Sequence, residues 1–147
     1  MKYLLALLVL LAGCTTAPEP AAPPETPPPS GAPSAPSSRE SIAVASLMEN
    51  ARAEAEAGKL INAAATLERA LRIEPRNPRL WHELARVRLK QGEFTQAESV
   101  ALRSSSWAGG DNALRAENWR LIAQAREARG DRDGARAALD NAERIAK

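Results

Sequence analysis

Few side chains in this sequence have types suited to covalent or metal chemistry, and their number argues against such chemistry. His82 is the only histidine and Cys14 the only cysteine among 147 residues, so neither a metal cluster nor a histidine-activated nucleophile can be assembled. Ser104, Ser105 and Ser106 stand in a row with no base near them in sequence. Asp131 and Asp133 are spaced to share a proton as an acid and base pair, but a helix cap and a solvated turn account for the same two carboxylates. We therefore expect no catalytic residue, no metal, no cofactor and no enzyme activity. The formal charge is +2, with basic residues scattered among acids rather than gathered in runs, which also argues against a nucleic-acid partner.

What remains for these residues is binding, and binding needs a scaffold. Within 78–102, Trp81, Leu84 and Ala85 are followed by Gly92, Phe94 and Ala97. Those are the offsets of a helix-turn-helix unit with Trp-x-x-Leu-small on its first helix and a small residue on its second. At an offset of 34 upstream, Leu47, Ala51, Gly58, Leu60 and Ala63 repeat the positions of Trp81, Ala85, Gly92, Phe94 and Ala97. At an offset of 38 downstream, Trp119, Ile122, Ala123, Gly130 and Ala135 repeat Trp81, Leu84, Ala85, Gly92 and Ala97, with four extra residues in the loop at 106–111. One such unit cannot bury its own apolar face, so three in tandem must stack.

The three copies resemble tetratricopeptide repeats over residues 41–147. The resemblance implies an all-α fold of three helix-turn-helix repeats in a short right-handed α-solenoid. This sequence departs from the family pattern at Glu54, Arg88 and Arg126, where an aromatic residue is usual midway along each first helix. The middle copy has only Ala101 where its second helix should carry a large side chain, and Pro75 is the one closing proline. The packing should be lighter than the family norm.

Local signals bound the helices. Ser37 and Glu40 have the spacing of a capping box, which opens a first helix over about 39–57. Gly58, Gly92 and Gly130 are placed to end the first helix of each pair in a left-handed conformation. Asn77 with Pro78, then Asp111 and Asp131, are the caps of later helices. On the second helix Ile61, Ala64, Leu67, Ala70 and Leu71 form the expected buried stripe; on the last, Ala135, Ala138, Leu139, Ala142 and Ile145. Trp81 and Trp119 are expected in the core.

At the other end, Met1 and Lys2 precede an apolar run over 3–12, which reads as a secretion signal, too short to span a bilayer. It closes in Leu11-Ala12-Gly13-Cys14. That tetrapeptide resembles the lipobox of bacterial lipoproteins, which implies cleavage after residue 13 and acylation of Cys14. Thr15 rather than an aspartate follows, which by the same resemblance favours the outer membrane, with the domain facing the periplasm. Nine of the 11 prolines lie within 18–36 and none follows Pro78. The segment 14–38 therefore has nothing to bury and should form a disordered linker. As polyproline II at about 3.1 Å per residue it would reach roughly 75 Å. The expected division is signal 1–13, lipidated linker 14–38 and repeat domain 39–147.

In tetratricopeptide proteins the first helices of successive repeats line a concave groove. Carried onto this sequence, the resemblance implies a partner-binding groove of Met48, Arg52, Arg79, His82, Arg86, Lys90, Arg120 and Gln124, with Leu89, Glu117 and Glu127 beside them. Guanidinium groups bind carboxylates bidentately, so this wall suits an acidic or C-terminal peptide segment. The same arginines could equally pair with Glu83, Glu117 and Glu127 on a solvated face. Trp107 either packs over the end of the fourth helix or presents an aromatic anchor in the inserted loop. The layout of lipobox, Pro/Ala linker and short repeat array resembles the lipoprotein activators of bifunctional penicillin-binding proteins, the peptidoglycan synthases. That resemblance implies a monomeric activator in cell-wall synthesis; the alternative is a pilotin-like lipoprotein that scaffolds a secretin, pilus or outer-membrane complex.

Overall fold

A computed structural model describes residues 38–147. The expected secretion signal, Cys14 with its acyl anchor, the linker and the serine of the capping box lie outside the described residues. The rest is six helices: α1 (Ser38–Glu56), α2 (Leu60–Ile73), α3 (Pro78–Lys90), α4 (Phe94–Trp107), α5 (Asn112–Ala128) and α6 (Arg132–Ala146). They form three pairs, α1 with α2, α3 with α4 and α5 with α6, and successive pairs pack α2 on α3 and α4 on α5. Among the described residues no helix is long and apolar enough to cross a membrane.

The boundaries follow from the caps. Gly58, Gly92 and Gly130 have φ of 74°, 78° and 85°, a region costly for residues with a Cβ. Each therefore ends the first helix of its pair. Asn77 accepts from the amides of Arg79 at 3.0 Å and Leu80 at 3.4 Å, and Pro78 at the first helical position needs no amide partner. Asp111 accepts from the Leu114 amide at 3.0 Å and Asp131 from the Gly134 amide at 2.9 Å.

The core is a seam of small residues with leucines inserted. Ala63, Ala70, Ala85, Ala97, Ala101, Ala125 and Ala138 are wholly inaccessible to solvent, which lets helix backbones approach closely. Leu67, Leu71, Leu80, Leu84 and Val87 join Val44 and Ala51 in one cluster across α1, α2 and α3. Ile122 and Ala123 meet Ala85, Ala101 and Ala138 in a second across α3 to α6. Burying a leucine or valine side chain stabilises by about 1.5–3 kcal/mol.

Two expected core positions are exposed. Ile61 is 80 % exposed, because the buried residues Ala63, Ala64, Leu67, Ala70 and Leu71 centre the seam about 120° around the helix from it, at about 100° per residue. Leu60 occupies the seam instead. Leu139 is 48 % exposed, since no helix among the described residues packs on that flank of α6. Trp81 and Trp119 are half-buried rather than enclosed. Trp81 packs at the edge of the first cluster, donates from its indole N–H to the Pro75 carbonyl at 2.8 Å, and carries the Arg103 guanidinium over its ring.

The three polar residues at the usual aromatic position join helices by hydrogen bonds. Glu54 accepts from Thr66 at 2.8 Å. Arg88 donates to Glu68 at 2.7 Å and to Glu93 at 2.8 Å. Arg126 donates through Nε to Glu98 at 2.9 Å, and Arg129 reaches the other oxygen of Glu98 at 3.0 Å. The hydrogen bond to Glu98 holds the Arg126 guanidinium above its usual pKa against the opposing effect of burial.

Candidate functional site

Two adjoining depressions open along α1, α3 and α5, and they share Arg86. The first is narrow, about 80 Å³, and is lined between α1 and α3 by Arg52, Glu83, Arg86 and Lys90 over a floor of Ala51, Leu67 and Val87. The second is wider, about 300 Å³, and is lined by His82, Arg86, Glu117, Arg120, Leu121 and Gln124 between α3 and α5. Helical spacing explains the lining: 82 and 86 on α3, and 117, 120, 121 and 124 on α5, recur every three or four residues and so share one face.

Of the eight groove positions expected from the sequence, the structure gathers six here. Arg52, Arg86 and Lys90 line the narrow depression, and His82, Arg86, Arg120 and Gln124 line the wide one. The other two stand apart. Arg79 turns to the cap of the next repeat and pairs with Asp111 at 3.4 Å. Met48 packs, partly buried, against the first core cluster.

Charge on this face is only partly available. Glu83 is buried despite its charge, and Arg52 reaches it at 2.7 Å while Arg86 reaches its second oxygen at 3.2 Å. Arg52 also pairs with Glu49 at 2.8 Å. The Glu83 hydrogen bond holds Arg52 above its ordinary pKa, with burial opposing and the charges of Glu83 and Glu49 assisting. Arg52 is thus committed within the fold. Arg120 and Lys90 have no carboxylate within ion-pair distance among the described residues, so they carry the uncommitted positive charge of the face.

Beneath the wide depression lies a polar chain that sequence reading missed. His82 Nδ1 sits 2.8 Å from the Asn118 side-chain oxygen, Asn118 donates to Ser104 at 2.8 Å, and Ser104 donates to the Pro78 carbonyl at 2.8 Å. Asn118 and Ser104 are wholly inaccessible to solvent. An asparagine between Glu117 and Trp119 in a core-facing register was the one available signal. His82 Nε2 faces the opposite way, 3.8 Å from Glu117.

Trp107 is the last residue of α4, 43 % exposed, with the Arg76 guanidinium 5.1 Å above its ring. It lies on neither depression. Its cation–π contact ties the inserted loop to the α2–α3 turn.

Comparison with known proteins agrees with this architecture. The family model described as "Tetratricopeptide repeat" matches residues 54–116. None of the curated proteins matches the chain in sequence. Among solved structures, the globular C-terminal domain of LpoP from P. aeruginosa aligns at 48 % sequence identity and a TM-score of 0.68, over 69 % of this chain and 95 % of that one. At that identity and coverage the chain belongs to the family of the LpoP C-terminal domain, and its six described helices are a tetratricopeptide-repeat domain.

Proposed function

We propose that this chain is a lipid-anchored protein-binding module of the outer membrane. Its repeat domain faces the periplasm and binds a bifunctional peptidoglycan synthase, a penicillin-binding protein, raising its activity in cell-wall synthesis. The observation that carries this reading is the match to nearly the whole LpoP C-terminal domain at 48 % identity, and the lipobox-like Leu11-Ala12-Gly13-Cys14 and proline-rich linker support the anchoring. The contact surface is the face of Arg86, Lys90, Arg120 and Gln124, on which Lys90 and Arg120, without an ion pair among the described residues, suit an acidic segment of the synthase. Activation requires that the chain bind the active state of the enzyme more tightly than the inactive one.

The test is capture from solubilised envelope with the full chain as bait, followed by addition of the chain to the recovered synthase. Recovery of a bifunctional synthase whose glycan polymerisation accelerates on addition supports the reading. Recovery without acceleration leaves binding and removes activation, and absence of any synthase from the captured proteins removes both.

A further inference from the structure

The polar chain beneath the wide depression has a direction. The Pro78 carbonyl can only accept, so the Ser104 hydroxyl spends its proton on it. Ser104 Oγ then accepts from Asn118 Nδ2, which turns the Asn118 oxygen toward His82 Nδ1. An oxygen acceptor at that place requires the proton of the neutral imidazole on Nδ1. The burial of Ser104 and Asn118 keeps water from substituting for any link. The lone pair is therefore on Nε2, the nitrogen that faces Glu117 across 3.8 Å on the wide depression.

Protonation can occur only at Nε2, and it converts an acceptor on the groove wall into a charged donor. Glu117 and Arg120 approach this nitrogen from α5, and Arg86 lies one turn along α3. Arg52 on α1 has its charge matched by Glu83, Arg79 is turned to Asp111, and α4 contributes the uncharged Ser104. A carboxylate entering between Arg86 and Arg120 would meet a lone pair at a neutral His82 and a hydrogen-bond donor at a protonated one.

We propose that His82 is the proton-linked contact of this groove: an acidic partner segment docking between Arg86 and Arg120 takes Glu117's place and draws one proton from solvent onto His82 Nε2. This rests on the groove reading above and adds its regulation by pH. The proton comes from water and no other bond changes. Uptake of one proton makes binding tighten as pH falls, by at most tenfold per unit.

The experiment uses the full chain in detergent and a fluorescently labelled hexaglutamate peptide as probe, with affinity read by anisotropy at pH 6 and pH 8. Hexaglutamate stays ionised across that range, so its own charge does not drive a change. We expect binding at least threefold tighter at pH 6 in the wild type, a flat profile in His82→Gln, and tighter binding at pH 8 in Glu117→Gln. Because His82→Gln disturbs the buried chain, the imidazole nitrogens are also followed by NMR in the wild type, where a single histidine makes the assignment unambiguous. A protonated Nδ1 at pH 8, and proton uptake at Nε2 on adding peptide at pH 7, support the proposal. Binding that Arg120→Ala weakens but that is equally tight at both pH values overturns the proton linkage and leaves the groove. Failure of hexaglutamate to bind at either pH overturns both.

Discussion

Arg52 of α1 donates through Nε at 3.0 Å and Nη2 at 2.7 Å to a single oxygen of Glu83 on α3. The pair ties the first repeat to the second across the floor of the groove. Glu83 is the partner that is buried, while Arg52 keeps about two-fifths of its side chain in solvent, 39 % against 11 %. The carboxylate therefore depends on its arginines more than they depend on it.

Glu83→Gln is expected to act in opposite directions on folding and binding. Loss of the charge pair should lower stability by about 1 kcal/mol, a modest figure because Arg52 is well solvated. Arg52 and Arg86 would then be released toward the groove, so affinity for an acidic segment should rise. Thermal melting and hexaglutamate anisotropy read the two effects separately; a fall in both would mean that Glu83 itself contacts the partner.

Reversal of Arg86 and Arg120 to glutamate should weaken partner binding at least tenfold, since each lost charge-assisted bond and the new repulsion contribute about 1–3 kcal/mol. Stability should move by less than about 0.5 kcal/mol for Arg120, which is exposed and has no ion-pair partner among the described residues. The binding difference should shrink in high salt. Unchanged affinity with an intact circular dichroism spectrum would move the contact to the Trp107 loop or the outer face.

Ser104→Ala leaves both the Pro78 carbonyl and the Asn118 amide short of a buried partner and is expected to cost about 1–3 kcal/mol. Asn118→Ala adds a cavity and should cost about 2–4 kcal/mol. Chemical denaturation of each single variant and the double variant checks the coupling. The double should cost less than the sum, because the two side chains belong to one chain of bonds.

Trp81→Ala and Trp119→Ala should each cost about 2–3 kcal/mol, below the 3–5 kcal/mol of a fully enclosed tryptophan, because both rings are half-solvated. Trp81→Phe isolates the indole bond to Pro75 and should cost about 1 kcal/mol. Equal stability of Trp81→Phe and wild type in urea unfolding would show that this bond adds nothing.

Cys14→Ala should abolish acylation, since the chain has no second thiol. Metabolic labelling with a palmitate analogue checks it, and label retained on the variant would remove the lipid anchor from the proposed function.

The repeat architecture was legible because its signals are local. A glycine forced to positive φ, an aspartate three residues before an orphan amide, and apolar residues spaced by three and four act within one turn of helix. Gly58, Gly92, Gly130, Asn77, Asp111 and Asp131 all hold the places their chemistry assigned them. The groove positions came from the resemblance to tetratricopeptide repeats, and six of the eight line the two depressions. The resemblance could not say that Arg79 turns to Asp111, or that Met48 joins the core, because both choices depend on atoms more than one helix away.

Pairing across helices is likewise invisible to periodicity. Arg52 and Glu83 are 31 residues apart, and His82 and Asn118 are 36 apart; their meeting depends on how deeply two helices settle and at what angle. Lateral shifts of a few ångströms decide which arginine stays free and which is spent on a buried carboxylate. The same packing leaves Ile61 and Leu139 exposed at positions that a single-helix stripe would bury. Residue types and spacing therefore settled the elements and the resemblance to tetratricopeptide repeats implied the face, while the depth and angle of helix packing settled which charges on that face remain available to a partner.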